Sequence, residues 1–183
     1  MTRSDGSSPP GDRARATVHV RISPAEAFEV FTAEIDQWWR RGPKYRASGR
    51  TVEEDRGVLR LEPEVGGRLF ESIDGPTGVR VVQTGTVRVW EPPSAPEPAG
   101  TPAGRLVLDW RGLNFAPSER TEVEVTFTAR AGGTEVVVTH RGWSQIPPDH
   151  PVRHGQDTVA FLRMMGLLWG DLLRSLREHA HRA

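Results

Sequence analysis

The sequence predicts an α+β fold: a curved antiparallel β-sheet wrapped around one long C-terminal helix, with two short helices after the first strand. Three observations predict it. Six segments of alternating hydropathy follow one another at turn-length spacing between Gly57 and Trp143. A seventh such segment, followed at once by a capped helical pattern, precedes them. The chain then closes on a long helical pattern whose apolar stripe is broad enough to need a sheet to cover it. Short strands joined by tight turns pair as an antiparallel meander rather than as parallel βαβ units.

In chain order, "MTRSDGSSPPGDR" has the Ser, Pro, Gly and charge of a disordered tail over residues 1–13, leaving 14–183 as a single domain. "RATVHVRI" alternates, with Ala16, Val18, Val20 and Ile22 on one face. "SPAEAFEVFT" starts a helix: Ser23 is the N-cap, Pro24 occupies the first helical position and Glu26 completes a capping box. Its apolar face is Ala27, Phe28 and Phe31. "AEIDQWWR" makes a second short helix carrying Trp38 and Trp39. Adjacent residues on a helix face different ways, so one of these indoles packs and the other lines a cavity mouth. The six meander strands are "GVLRLEP", "GRLFESI", "VRVVQTGTVRVW", "RLVLDWRG", "TEVEVTFTAR" and "TEVVVTHRGW", with "DGPTG" and "AGG" among the turns. Residues 92–104, rich in Pro, Ala and Gly, read as a long mobile loop. The last helix runs from Gln156 to Ala180. Phe161, Met165, Leu168 and Leu172 form its stripe, Leu162, Trp169, Leu173 and Leu176 widen it, and Arg163, Gly170, Arg174 and Arg177 lie opposite.

Composition narrows the function. With 183 residues the chain fits one well-cored domain. Basic and acidic residues balance at 24 each, which gives no electrostatic footprint for nucleic acid. All basic residues except Lys44 are arginine, a bias that points to a GC-rich bacterial genome. Without cysteine there are no disulfides, thiol nucleophiles or thiolate metal ligands. No apolar run is long enough to span a bilayer and the N-terminus lacks a hydrophobic signal core, so the expected location is cytoplasmic, without membrane insertion. Walker, dinucleotide and G-x-S-x-G signatures are absent, and no cofactor is assigned. His150 and His154 have a metal-like spacing, but Pro151 between them and the lack of a committed third ligand leave no metal site.

Taken in order, "PAEAFEVFTAEIDQWW", "LEPEVGGRLFE", "GTVRVWEPP", "RLVLDW", "TEVEVTF", "TEVVVTHRGW" and "LLWGDLLRSL" resemble the START/Bet-v-1-like (SRPBCC) superfamily. Within it, they are most similar to the branch named after the C-terminal domain of the activator of heat-shock protein 90 ATPase. The resemblance covers about residues 15–180. It implies a helix-grip fold with a deep cavity between sheet and long helix, which in the superfamily usually holds an apolar or amphipathic small molecule. It also implies three kinds of relative: carriers, polyketide cyclases and proteins that act on a partner protein. The stretch before "RLVLDW" departs from the branch as an insertion.

Strand alternation places the inward side chains: Val136, Val138 and His140; Val123, Val125 and Phe127; Leu106, Leu108 and Trp110; and Gly67, Leu69, Glu71 and Ile73. The two glycines of "EVGGRLF" read as a bend that lets the sheet wrap the helix. Glu71 then becomes the carboxylate that reaches the cavity, able to act as general acid or base with His140. The alternative is that Glu71 pairs with Arg68 or Arg88 or lies at the rim, and that His140 bonds a backbone carbonyl near "RGW". The candidate ligand contacts are Trp38, Trp39, Leu69, Leu108, Trp110, Val138, Met165, Leu168 and Trp169.

The first functional reading is therefore the binding of a small hydrophobic or amphipathic molecule in that cavity. The alternatives are a cyclase- or hydrolase-like enzyme using Glu71 and His140, and a co-chaperone-like module with a protein partner. A carrier needs a closed apolar cavity, an enzyme needs convergent polar groups inside one, and an interaction module needs an exposed apolar patch.

Overall fold

Alternation in "RARATVHV" produces β1 (Arg13–Val20), with Ala14, Val18 and Val20 buried. The strand starts two residues earlier than the alternating apolar run. The reason is Asp12, 6% exposed, whose carboxylate accepts from the backbone N–H and the hydroxyl of Ser144 and pins the chain beside the end of the neighbouring strand, where Arg13 pairs with Arg141. The structure, a computed structural model, describes residues 11–47 and 57–182, so the tail expected over residues 1–13 lies outside it up to Pro10.

α1 (Pro24–Thr32) has the capping box: Ser23 Oγ accepts from Glu26 N at 3.3 Å, and Glu26 Oε2 accepts from Ser23 N at 2.9 Å. α2 (Ile35–Trp38) is a single turn. Asp36 fastens it to the sheet, accepting from Leu59 N at 2.8 Å and from Arg46 Nη1 at 2.7 Å. Burial opposes ionisation of Asp36, yet these bonds, with Arg41 nearby, hold its carboxyl below the ordinary aspartate range.

The meander is β2 (Val58–Leu61), β3 (Arg68–Gly75), β4 (Gly78–Glu91), β5 (Pro102–Trp110), β6 (Thr121–Arg130) and β7 (Gly133–Arg141). The seven strands lie in the order β1-β7-β6-β5-β4-β3-β2, every pair antiparallel. Register shifts at Leu69/Phe70, Val87/Val89 and Pro102/Gly104 add local bend and twist, which lets the sheet curl. The glycine pair sits in the turn just before β3 rather than within it. Gly66 takes a φ of +86°, and a Cβ on Gly67 would come within 2.6 Å of the Glu62 carbonyl. The long loop is also shorter than expected. Pro102–Gly104 belong to β5, and Gly100 N donates to Ala129 O at 2.7 Å, which draws the loop's end into the sheet.

α3 (Thr158–Ala180) is capped by Asp157, whose Oδ1 accepts from Ala160 N at 2.8 Å. Trp169, Leu172, Leu173, Leu176 and Ala180 are buried against the inner sheet face, while Arg163, Arg174 and Arg177 are exposed. Phe161 departs from the expected single stripe. It joins Phe115, Trp143 and Ile146 in a second apolar cluster beside the first. Among the described residues, no helix is long and apolar enough to cross a membrane.

Candidate functional site

The side chains expected to line a cavity beneath α3 pack against one another. Trp169 meets Trp39 with ring centroids 5.6 Å apart and Trp110 at 6.1 Å, and Trp39 stacks on Trp110 at 6.3 Å. Leu69, Leu108 and Val138 are at most 3% exposed within the same cluster, while Met165 and Leu168 are half-buried against it. Trp38 and Trp39 are both buried, contrary to the expected division of roles. The helix stops at Trp38 and Trp39 is extended (ψ 122°), so the helical angle between neighbours no longer separates them. Each indole N–H reaches a carbonyl, Trp38 at Val30 and Trp39 at Tyr45, both at 3.0 Å. Among the described residues, the space between sheet and α3 is occupied by these rings.

His140 is fully buried at the centre of this packing. Trp143, Trp110 and Trp169 lie 4.5, 5.7 and 6.1 Å away by ring centroid. Trp169 Nε1–H donates to His140 Nδ1 at 3.3 Å. Nδ1 is therefore the acceptor, and the ring proton sits on Nε2, which donates to Thr121 Oγ1 at 2.7 Å. The Thr121 hydroxyl in turn donates to Trp110 O at 3.4 Å. Both nitrogens are engaged, and burial pushes the imidazole down to about 3. A ring held neutral from pH 4 upward with no free nitrogen is poorly placed for general acid–base work.

Glu71 reaches the inner face as expected and is 2% exposed. Neither arginine considered for it is its partner: Arg68 engages Glu62 at 2.6 Å and Arg88 engages Asp109 at 2.8 Å. Glu71 Oε2 accepts from Ala47 N at 2.8 Å, while Oε1 has no hydrogen-bond partner among the described residues. Glu71 and His140 are not brought together. They sit on β3 and β7, four interstrand steps or about 19 Å along the sheet. His150 caps a 3₁₀ turn, its Nδ1 accepting from Val152 N at 3.1 Å.

The open apolar site lies elsewhere. α1 and the ends of β2 and β4 wall a groove of about 310 Å³ lined by Phe28, Leu61, Pro63, Trp90, Pro92 and Pro93, with Thr32 and Glu29 at its polar side. Phe28 and Trp90 meet edge to face at 5.0 Å and fix its floor. Alternation gives no hint of this site, since α1 supplies one wall and β4 the other. The available signal was Trp90 beside the Pro92–Pro93 pair, an aromatic next to rigid chain at the end of a strand.

Residues 21–180 match the family model described as activator of Hsp90 ATPase homolog 1-like protein. The chain belongs to that family. No curated protein matches it. Among solved structures, the chain is similar to the protein MLL2253 from Mesorhizobium loti, at 16% identity and a TM-score of 0.58 over 93% of this chain and 98% of that one. It is also similar to PFC0360w, described as an HSP90 activator from Plasmodium falciparum, at 15% identity and 0.52 over 88% and 91%. A third is the Aha1 dimer of Colwellia psychrerythraea, at 16% identity and 0.52 over 91% and 93%. At these identities the structures establish the helix-grip fold of the chain and nothing finer.

Proposed function

We propose that this protein is a binding module for a small apolar molecule, and that its site is the groove between α1 and Trp90. The observation that carries this is the groove itself. Its volume of about 310 Å³ and its wall of Phe28, Trp90, Leu61 and three prolines are what an apolar guest requires, with exposed Glu29 available to orient a polar end. Acid–base catalysis by Glu71 and His140 draws no support from their separation or from the engaged imidazole. The test is fluorescence titration with a neutral apolar probe, N-phenyl-1-naphthylamine, on the wild type and on Ala33→Trp. Ala33 is exposed in the groove wall, so the added indole fills the site without disturbing the core. Saturable enhancement in the wild type that is lost in the variant supports the reading; undiminished binding in the variant overturns it.

A second reading has its own observation. The groove shares Ala25 and Pro93 with a neighbouring basin of about 760 Å³ that runs past Arg21, Glu26, Glu97 and Arg130. Together they form a trough suited to an extended peptide with one apolar anchor, in keeping with a family named for a protein partner. Stimulation of an Hsp90 ATPase by the wild type but not by Ala33→Trp would favour this reading over the small molecule.

A further inference from the structure

We infer that the loop between β5 and β6 carries an oxyanion site, built by Arg111 and Arg120 to take the phosphate or carboxylate of a small amphipathic molecule. Trp110 and Thr121 are the last paired residues of the β5–β6 ladder, so Arg111 and Arg120 leave the sheet side by side. Like charges set opposite each other across a strand pair repel. Neither guanidinium has a carboxylate partner among the described residues. Arg111 Nη2 donates only to Ala116 O at 3.0 Å, and Arg120 has no hydrogen bond or ion pair there.

The surrounding acids are already engaged. Asp109 holds Arg88 at 2.8 Å, Glu124 holds Arg105 at 2.6 Å, and Glu122 holds Arg141. Glu119 accepts from Ala116 N at 2.7 Å and meets His150 Nε2 at 3.3 Å. Neither cation is ion-paired among the described residues; Glu119 is the one acid here not held by an arginine, so a surplus of positive charge remains on a cavity of about 470 Å³ that both arginines line.

Asp109 also lines that cavity, its carboxylate held by Arg88, and the remaining lining suits an oxyanion. Thr84 is the extra residue of the β3–β4 bulge, skipped between the Gln83–Phe70 and Gly85–Leu69 pairs, and its carbonyl accepts from Arg111 N at 2.8 Å. Thr86 Oγ1 accepts from Gln83 Nε2 at 3.0 Å and keeps its own proton to donate. Adjacent guanidiniums and hydroxyl donors are the groups that bind phosphate or carboxylate by charge-assisted bonds. The loop is also held in advance, since Phe115 is 8% exposed in the second apolar cluster and His150 Nε2 reaches Asn114 O at 3.1 Å. Leu113, 66% exposed at the cavity's edge, offers an apolar surface beside the charges.

Calorimetric titration of the full chain with inorganic phosphate, butyl phosphate and hexanoate tests the site. Saturable binding is expected, butyl phosphate or hexanoate binding more tightly than phosphate and the stronger of the two identifying the head group. Arg120→Gln should weaken it at least about tenfold, the scale of one charge-assisted bond, whereas Arg174→Gln on the exposed face of α3 should not. Leu113→Ala should remove the preference for the alkyl compounds alone. Without ligand, Arg120→Gln should melt no lower than the wild type, because a repulsion has been removed, and it should lose the rise in Tm produced by butyl phosphate. Absence of saturable binding, unchanged affinity in Arg120→Gln, or equal weakening by Arg174→Gln would overturn the assignment.

Discussion

His140→Gln should make folding of this protein less sensitive to acid. In the native state the imidazole is fully buried among Trp110, Trp143 and Trp169, accepts from Trp169 and donates to Thr121; no charged side chain is among these contacts. Burial holds it at about 3, against 6.5 when it is free. Because the folded value is the lower one, the unfolded chain takes up the proton first. The neutral ring's contribution is complete above about pH 6.5 and is lost as pH falls from there toward 3. At pH 5 the unfolded histidine is almost fully protonated and the folded one is not, so the loss is about 2 kcal/mol, or roughly 1.4 kcal/mol per pH unit below 6.5. A folded value of about 4 would change that figure by less than about 0.1 kcal/mol. Glutamine offers a carbonyl to Trp169 and an N–H to Thr121 but cannot titrate. Urea unfolding followed by tryptophan fluorescence at pH 7.5, 6 and 5 is the assay, and the quantity read is the difference between wild type and variant. The carboxylates that stabilise only when ionised, Asp36 and Glu124 among them, lose their share equally in both proteins and cancel. The variant should begin less stable at pH 7.5 and close the gap by about 2 kcal/mol at pH 5. Parallel losses across the whole range would refute the buried neutral ring.

Leu172→Ala should cost about 2–5 kcal/mol, because Leu172 is 0% exposed between α3 and the sheet, while exposed Arg174→Ala should change little in the same denaturation assay. Gly67→Ala should cost about 1–3 kcal/mol, since its Cβ meets backbone oxygens of Glu62 and Glu64 that cannot move aside. Gly66→Ala, strained only by its φ of +86° in open space, should cost less, about 1–2 kcal/mol; the reverse ranking would contradict the turn geometry. Deleting residues within 94–98 should leave the melting temperature nearly unchanged, whereas a deletion extended through Gly104 should lower it by removing the start of β5. Glu71→Gln should fold normally, keeping its bond to Ala47 N, with thermal stability shifted by no more than about 1 kcal/mol; a large loss would reveal a partner on Oε1.

Local chemistry sufficed for the elements and their order. Ser23, Pro24 and Glu26 determine where α1 begins, because the capping box is a contact within four residues. Alternation in "TEVVVTH" and "TEVEVTF" determines which side chains face α3, because the strand period of two holds wherever one face is buried; Val136, Val138, Val123, Val125 and Phe127 are all at most 1% exposed. The register through Leu69 and Glu71 came out as expected despite a bulge, since the bulge adds its extra residue to β4, at Thr84, and leaves β3 in phase. What the chain does with that inner face was decided only in three dimensions. Sequence period tells that Trp110, Trp169 and His140 point inward, but not that Trp39 joins them, nor whether the four rings leave a void or fill it. Their volumes meet only after the sheet has curled. The same holds for the groove, whose walls come from α1 and β4, and for Arg111 and Arg120, which stand nine positions apart in the chain and side by side at the end of one ladder. Periodicity reports the direction of a side chain along its own element; which elements share a wall depends on strand order and curvature, and those are set by the packing of the whole domain.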